Sequence, residues 1–240
     1  ASDEADAEHG DLSLAGVLRP AGARLSTMGG KSSGPEPLRQ VLAFSREKIL
    51  ARQGKRLRPI DAHDIICKIG ECVVAGGVRR SAMISLSDLE DSGIRDAKKG
   101  QFWNTDPQRM LANNSAVYNE KPTNEQFMEE WMALMLSGSG ERGIFNRGGL
   151  ATTLPKRRLD ILKEKGIVAE DGRIVGLIGT NPCGEIILQS KQFCNLSEVV
   201  ARHEDTFESL KRKIKIATIL GTDQASLTRF FNSTPSGPQS

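Results

Sequence analysis

Asn181, Cys183 and Glu185 stand at alternate positions in Gly179-Thr180-Asn181-Pro182-Cys183-Gly184-Glu185-Ile186. A second thiol, Cys194, follows in Phe193-Cys194-Asn195-Leu196-Ser197. An amide donates and accepts hydrogen bonds, a thiol can give up a hydrogen atom, and a carboxylate can take a proton. Extended backbone points residues i and i+2 the same way, so the spacing predicts that the three groups converge on one spot. Pro182 and Gly184 favour a constrained loop there over a long strand. Cys194 is placed where it could reach the same pocket. The triad alone is a short pattern, and a free cysteine is more often packing than nucleophile. A structural α/β domain with an accidental Asn-x-Cys-x-Glu therefore stays open at this point.

The elements that must carry these groups alternate between helix and strand. Pro37 suits the first turn of a helix bearing Leu38, Val41, Leu42, Ser45 and Ile49, which should stop near Gly54. Asp61 reads as the N-cap of a second helix with Ile65, Ile66, Ile69 and Val73 on its face. Short strands are expected over 82–86 and 115–118, and a strand over 174–178. Thr123 with Gln126 makes a capping-box pattern ahead of a helix with Phe127, Trp131, Leu134 and Met135 as its core stripe. Further helices are expected over 155–165 and 204–229, the last with Phe207, Leu210, Ile214, Ala217 and Leu220 on one face. The alternation argues for an α/β fold whose strands gather in a parallel sheet or barrel. Residues 1–17 read as a loose N-terminal segment and 232–240 as a disordered end, leaving 18–231 as the folded part.

Composition sets limits on function. The 240 residues are 38% hydrophobic and 26% charged, with a net charge of +3. That balance is too mild for a nucleic-acid footprint, and runs such as Lys156-Arg157-Arg158 read as solvated helix faces. No apolar run approaches the ~18 residues of a membrane span. The acidic N-terminus is unlike a secretory leader, so a cytoplasmic protein is expected. The four cysteines, Cys67, Cys72, Cys183 and Cys194, lack the spacing of a zinc site, and no metal is expected. Gly30-Lys31-Ser32 is not a phosphate-binding P-loop, because Leu25 stands where that pattern needs glycine.

Longer motifs, in order along the chain, resemble the adenosylcobalamin-dependent (class II) ribonucleotide reductases. They are Gly29-Gly30-Lys31-Ser32-Ser33-Gly34-Pro35, Gly76-Gly77-Val78-Arg79-Arg80-Ser81-Ala82, Asp96-Ala97-Lys98-Lys99-Gly100-Gln101-Phe102-Trp103, Met110-Leu111-Ala112-Asn113-Asn114-Ser115-Ala116-Val117, and Asn181-Pro182-Cys183-Gly184-Glu185 with its continuation through Val200. The resemblance spans roughly residues 18 to 228 and leans toward the branch that reduces ribonucleoside triphosphates.

The resemblance implies a ten-stranded α/β barrel with a finger loop at its centre, of which this chain would supply the middle strands. Cys183 would become a thiyl radical when the cobalt–carbon bond of adenosylcobalamin breaks, and would abstract the 3′ hydrogen of the ribose. Glu185 would take the 3′-hydroxyl proton, and Asn181 would hold the hydroxyls. Cys194 would be one of two reducing thiols, with thioredoxin as the reductant the family suggests. Residues 29–35 and 75–82 would be specificity loops for a deoxynucleotide effector, where glycines admit phosphate or base and Lys31, Arg79 and Arg80 neutralise charge.

The second reducing cysteine of the family has no counterpart, since Cys67 and Cys72 sit in a helix and read as core thiols. The chain is therefore expected to be an incomplete barrel that needs the rest of the reductase for turnover, with strand edges and apolar faces left exposed. Two competing readings are the large subunit of a class I reductase, which draws its radical from a partner, and a non-catalytic nucleotide-binding piece of a split enzyme.

Overall fold

In the computed structural model, residues 19–25, 30–73 and 82–226 are described, and they fall into two compact units. The first holds residues up to Ala116 together with Glu125–Gly143, and the second holds Val117–Asn124 and Ile144 onward. The boundary falls inside two strands.

The first unit opens with a turn in which Gly22 N–H donates to Ser32 O at 2.9 Å and Ser32 N–H donates to Ala23 O at 2.7 Å. Helix α1 (Glu36–Leu50) has Pro37 in its first turn, Glu36 at its start and Lys48 near its end, each matched to the helix dipole. Gly54, at φ +76°, lies just beyond, as expected. Helix α2 (Pro59–Cys72) begins three residues earlier than expected. Arg58 is its cap, and Asp61 sits at the third helical position, where it accepts the Arg58 backbone N–H at 3.0 Å.

The buried face of α2 overturns the expectation. Asp61, His63, Asp64, Cys67 and Gly70 are buried, whereas Ile66 and Ile69 are 51% and 47% exposed. Cys67 is buried, as expected of a core thiol.

Strand β1 (Met83–Ser87) pairs in parallel with β2 (Ala112–Val117), Met83 opposite Ala112 and Ser87 opposite Ala116. Two one-turn helices, α3 (Ser92–Arg95) and α4 (Phe102–Thr105), and a 3₁₀ turn over Pro107–Leu111 connect them. Helix α5 (Asn124–Ser137) follows the strand pair. Its expected core stripe is largely uncovered: Phe127 and Trp131 stack with ring centroids 6.1 Å apart, and Met135 is 62% exposed. The helix is tied down by charge instead. The buried Arg142 guanidinium forks onto Glu130 at 2.8 and 3.0 Å and donates to Ser87 Oγ at 2.9 Å and to the Asp88 and Leu89 carbonyls. Strand β3 (Gly143–Phe145) completes the sheet order β1-β2-β3.

The second unit has its own apolar core of Leu150, Leu162, Val168 and Ile178, with Phe145, Leu154, Leu159, Ile167, Ile174 and Ile187 packed around it. Helices α6 (Leu150–Thr153) and α7 (Lys156–Glu164) supply the first half of it. The strand expected over 174–178 is shorter and later. Ile174 makes only an isolated bridge to Val168, and β4 (Ile178–Thr180) begins at its far end. Strand β5 (Ile187–Gln189) runs back antiparallel, with Thr180 opposite Ile187 and Ile178 opposite Gln189.

Residues 190–206 carry no regular strand or helix, and α8 (Phe207–Ala225) starts where Thr206 Oγ1 accepts the Ser209 N–H. No residue of α8 is buried, and Phe207, Ile214 and Leu220 are exposed.

The α/β class with a parallel strand pair is as expected. The described residues form a three-stranded sheet and a two-stranded hairpin.

Candidate active site

The Asn181–Glu185 segment is the tip of the β4–β5 hairpin. Three hydrogen bonds close its neck on one residue. Asn181 N–H donates to Ile186 O at 3.1 Å, Thr180 Oγ1 donates to the same oxygen at 3.0 Å, and Ile186 N–H donates to Asn181 Oδ1 at 3.0 Å. Inside the neck, Gly184 N–H donates to Asn181 O at 3.0 Å, and Gly184 takes φ +87°, a conformation that glycine adopts without strain. A Cβ at Gly184 would meet nothing within 4 Å, so backbone conformation is its requirement rather than space.

This turn corrects the extended alternation expected of the motif. Asn181 is buried and its carbonyl oxygen is engaged by Ile186, whereas Cys183 and Glu185 are exposed. The thiol and the carboxylate share the open tip, and the amide is part of the neck beneath them. Among the described residues neither the Cys183 nor the Glu185 side chain makes a hydrogen bond or ion pair, and the Cys183 thiol is free. Cys194 is also a free thiol, half-buried in the segment after β5. That segment is fastened to α8, where Asn195 Nδ2 donates to Gly221 O at 3.0 Å. A cleft of about 700 Å³ lies along this contact, lined by residues including Asn195, Ser197, Ile214 and Thr218, and none of the four candidate catalytic residues lines it.

Two arginines missed by sequence reasoning hold the hairpin. Arg147 Nε donates to Ile178 O at 2.8 Å, on the strand entering the loop. Arg158, from α7, donates through Nη2 to Ile187 O on the strand leaving it. Arg158 belongs to a basic run that reads as solvated surface, yet its Nε is buried and its pKa is lowered by burial. Nothing in the spacing of Lys156-Arg157-Arg158 separates the inward arginine from its neighbours.

Of the two expected effector loops, Gly29 and the whole of Gly76, Gly77, Val78, Arg79, Arg80 and Ser81 lie outside the described residues. In the first loop, Lys31 bridges antiparallel to Arg24, Ser32 Oγ accepts the Gly34 N–H at 3.1 Å, and Gly30 and Gly34 have φ of +82° and +78°. Ser33 is exposed beside them. At Gly34 an added Cβ would lie 2.9 Å from Ala21 N, so glycine is needed there for space as well.

The first unit contains a second cluster of titratable groups. Asp64 accepts a two-pronged contact from Arg109, Nε to Oδ1 at 2.6 Å and Nη2 to Oδ2 at 2.9 Å, and a third bond from Lys48 at 3.1 Å. Burial favours the neutral acid, but these cations outweigh it and hold Asp64 well below the usual carboxylate range. His63 lies beside it, with Nε2 3.0 Å from Asn114 Oδ1 and Nδ1 3.7 Å from Cys67 Sγ. Burial opposes charge on the imidazole, yet Asp64 and the Cys67 contact prevail and raise its pKa to about 9. These polar partners are why α2 turns its polar face inward. Among the described residues no group of three or more His, Cys, Asp or Glu could hold a metal ion.

The free Cys183 thiol is thus displayed at the tip of a clasped hairpin, with an exposed carboxylate two residues away. Comparison with known proteins agrees with the motifs. The chain is 36% identical over 186 residues to the adenosylcobalamin-dependent ribonucleoside-triphosphate reductase of Lacticaseibacillus paracasei, covering 76% of this chain and 22% of that protein. It is 36% identical over 188 residues to the enzyme of that name from Lactobacillus acidophilus, covering 76% and 23%. It is 35% identical over 187 residues to that of Lactobacillus leichmannii, with the same coverage of 76% and 23%. The chain is thus a relative of the adenosylcobalamin-dependent ribonucleoside-triphosphate reductases over three quarters of its length, and it spans about a fifth of theirs. No family model and no solved structure matches it.

Proposed function

We propose that this chain forms part of the catalytic α/β barrel of a radical reductase that converts ribonucleoside triphosphates to 2′-deoxyribonucleotides, with the β4–β5 hairpin as its finger loop. The observation that carries this reading is the free, exposed Cys183 thiol at the loop tip, two residues from an exposed carboxylate. Cys183 gives up its hydrogen atom, and the resulting thiyl radical takes the 3′ hydrogen of the ribose. Glu185 accepts the 3′-hydroxyl proton. Asn181, whose Oδ1 is engaged by Ile186, has its Nδ2 to offer a substrate hydroxyl. Cys194 and a second thiol from the remainder of the reductase are oxidised together to a disulfide as the 2′-hydroxyl leaves as water, and a thioredoxin-type dithiol reduces them again.

Adenosylcobalamin, when bound, supplies the initiating radical by homolysis of its cobalt–carbon bond. The thiol fits the reacting end of such a cofactor, because it is exposed and unbonded. No described residue is assigned to holding the corrin. The loops at 29–35 and 75–82 are read as the sites that sense a deoxynucleotide effector. No described helix is long and apolar enough to cross a membrane, and the reading places the enzyme in the cytoplasm.

The test is a 3′-deuterated ribonucleoside triphosphate supplied to the full-length reductase with cofactor and dithiol. Slower turnover than with the protiated substrate, and no product without cofactor, is the expected result. Product formation independent of the cofactor would overturn the reading.

A further inference from the structure

The residue that sets the geometry of the loop tip is the one just outside the motif. Thr180 is buried at 9% exposure and is the last residue of β4. Its hydroxyl donates across the neck to Ile186 O, which also accepts the Asn181 N–H. The next carbonyl along the returning strand, Ile187 O, accepts from Arg158. Two consecutive carbonyls immediately after Glu185 are therefore fixed by side chains from outside the loop. Arg158 has no ion-pair partner among the described residues, and its Nη2 is directed to the backbone. A two-stranded hairpin is only marginally stable alone, and both added bonds act on the strand that Glu185 enters.

We propose that Thr180 and Arg158 are positioning residues for the Cys183–Glu185 tip. Thr180 sets the width of the loop neck, and Arg158 anchors the strand leaving it, so that thiol and carboxylate keep a fixed spacing. This rests on the reading of Cys183 as the reacting thiol, but its physical content is separable from the reaction.

The experiment uses the full-length chain with Thr180→Val, Thr180→Ser and Arg158→Met, and follows iodoacetamide alkylation of the Cys183 peptide by mass spectrometry alongside exchange of the Ile186 amide. Thr180→Val and Arg158→Met should speed exchange of the Ile186 amide by about three- to tenfold, the factor that loss of one hydrogen bond gives, and should change the alkylation rate of the thiol as the tip relaxes. Thr180→Ser, which keeps the hydroxyl, should restore wild-type rates. Reductase assays on the same variants should show kcat falling with KM little changed. Alkylation and exchange rates indistinguishable from wild type in both Thr180→Val and Arg158→Met would overturn the proposal. Should Arg158→Met fail to fold, the Val and Ser pair at Thr180 decides alone. Altered thiol kinetics with unaltered turnover would leave the positioning intact and contradict the role given to Cys183.

Discussion

Asn181 Oδ1 accepts the backbone N–H of Ile186 at 3.0 Å, so the first residue of the cysteine loop holds the last. Replacing Asn181 with Asp keeps an acceptor for that amide, whereas Asn181→Leu removes it. A buried amide left without a partner costs about 1–3 kcal/mol. Asn181→Leu should therefore loosen the loop, seen as faster exchange at Ile186, and Asn181→Asp should not. Equal exchange in the two variants would contradict the clasp.

Gly148 and Gly184 make a matched pair for substitution. A Cβ at Gly148 would lie 2.1 Å from Asn119 O, a backbone atom that cannot swing away, while at Gly184 it meets open space. Gly148→Ala should cost at least about 2 kcal/mol through overpacking, and Gly184→Ala only the roughly 1–2 kcal/mol of a left-handed backbone on a non-glycine residue. Denaturant midpoints of the two variants should rank in that order.

Asp64→Asn should be among the most destabilising single changes in the first unit. It removes the charge facing Arg109, Lys48 and the His63 imidazolium, and breaking a buried pair from one side costs about 3–5 kcal/mol. Asp171→Asn, which alters only the solvent-exposed contact with Arg173, should leave stability close to that of the wild type. Similar losses in the two variants would show that the Asp64 hub is not closed as described.

His63 gives the hub a pH dependence with a definite sign. Its folded-state pKa is raised to about 9 from 6.5. Its stabilising charge is therefore fully present below pH ~6.5 and fades as pH rises through the folded-state value. The stability gap between wild type and His63→Gln should narrow from pH 6 to pH 10. An imidazole NMR titration with a midpoint near 6.5 would refute this.

How much of this was legible in the sequence depends on whether the local pattern and the tertiary partners agree. Helix α1 was legible because Pro37, the apolar spacing and Gly54 all mark the same element. That α2 is a helix was legible, but its start and its inward face were not. Ile65, Ile66 and Ile69 suggest an apolar side, and only the distant Lys48, Arg109 and Asn114 make His63 and Asp64 the buried ones. The stripes of α5 and α8 were recognised as apolar, but Phe127, Trp131 and Met135, expected in the core, lie exposed, as do Phe207, Ile214 and Leu220. Strand β3 is three residues in a glycine-rich stretch and leaves no periodic signal. In the candidate site, the motif residues were legible by type, but not the clasp. The turn through Pro182–Cys183 and Gly184 breaks the alternation on which convergence of the three groups was argued, and Thr180, Arg147 and Arg158 act through backbone carbonyls that no spacing rule marks.

The central claim is that the sulfur of Cys183 reacts. It is tested most directly by deoxynucleotide formation in the full-length reductase carrying Cys183→Ser, beside Cys72→Ser as the control thiol. The account predicts that product falls to background in the first and stays at the wild-type level in the second. Undiminished product from Cys183→Ser would contradict it.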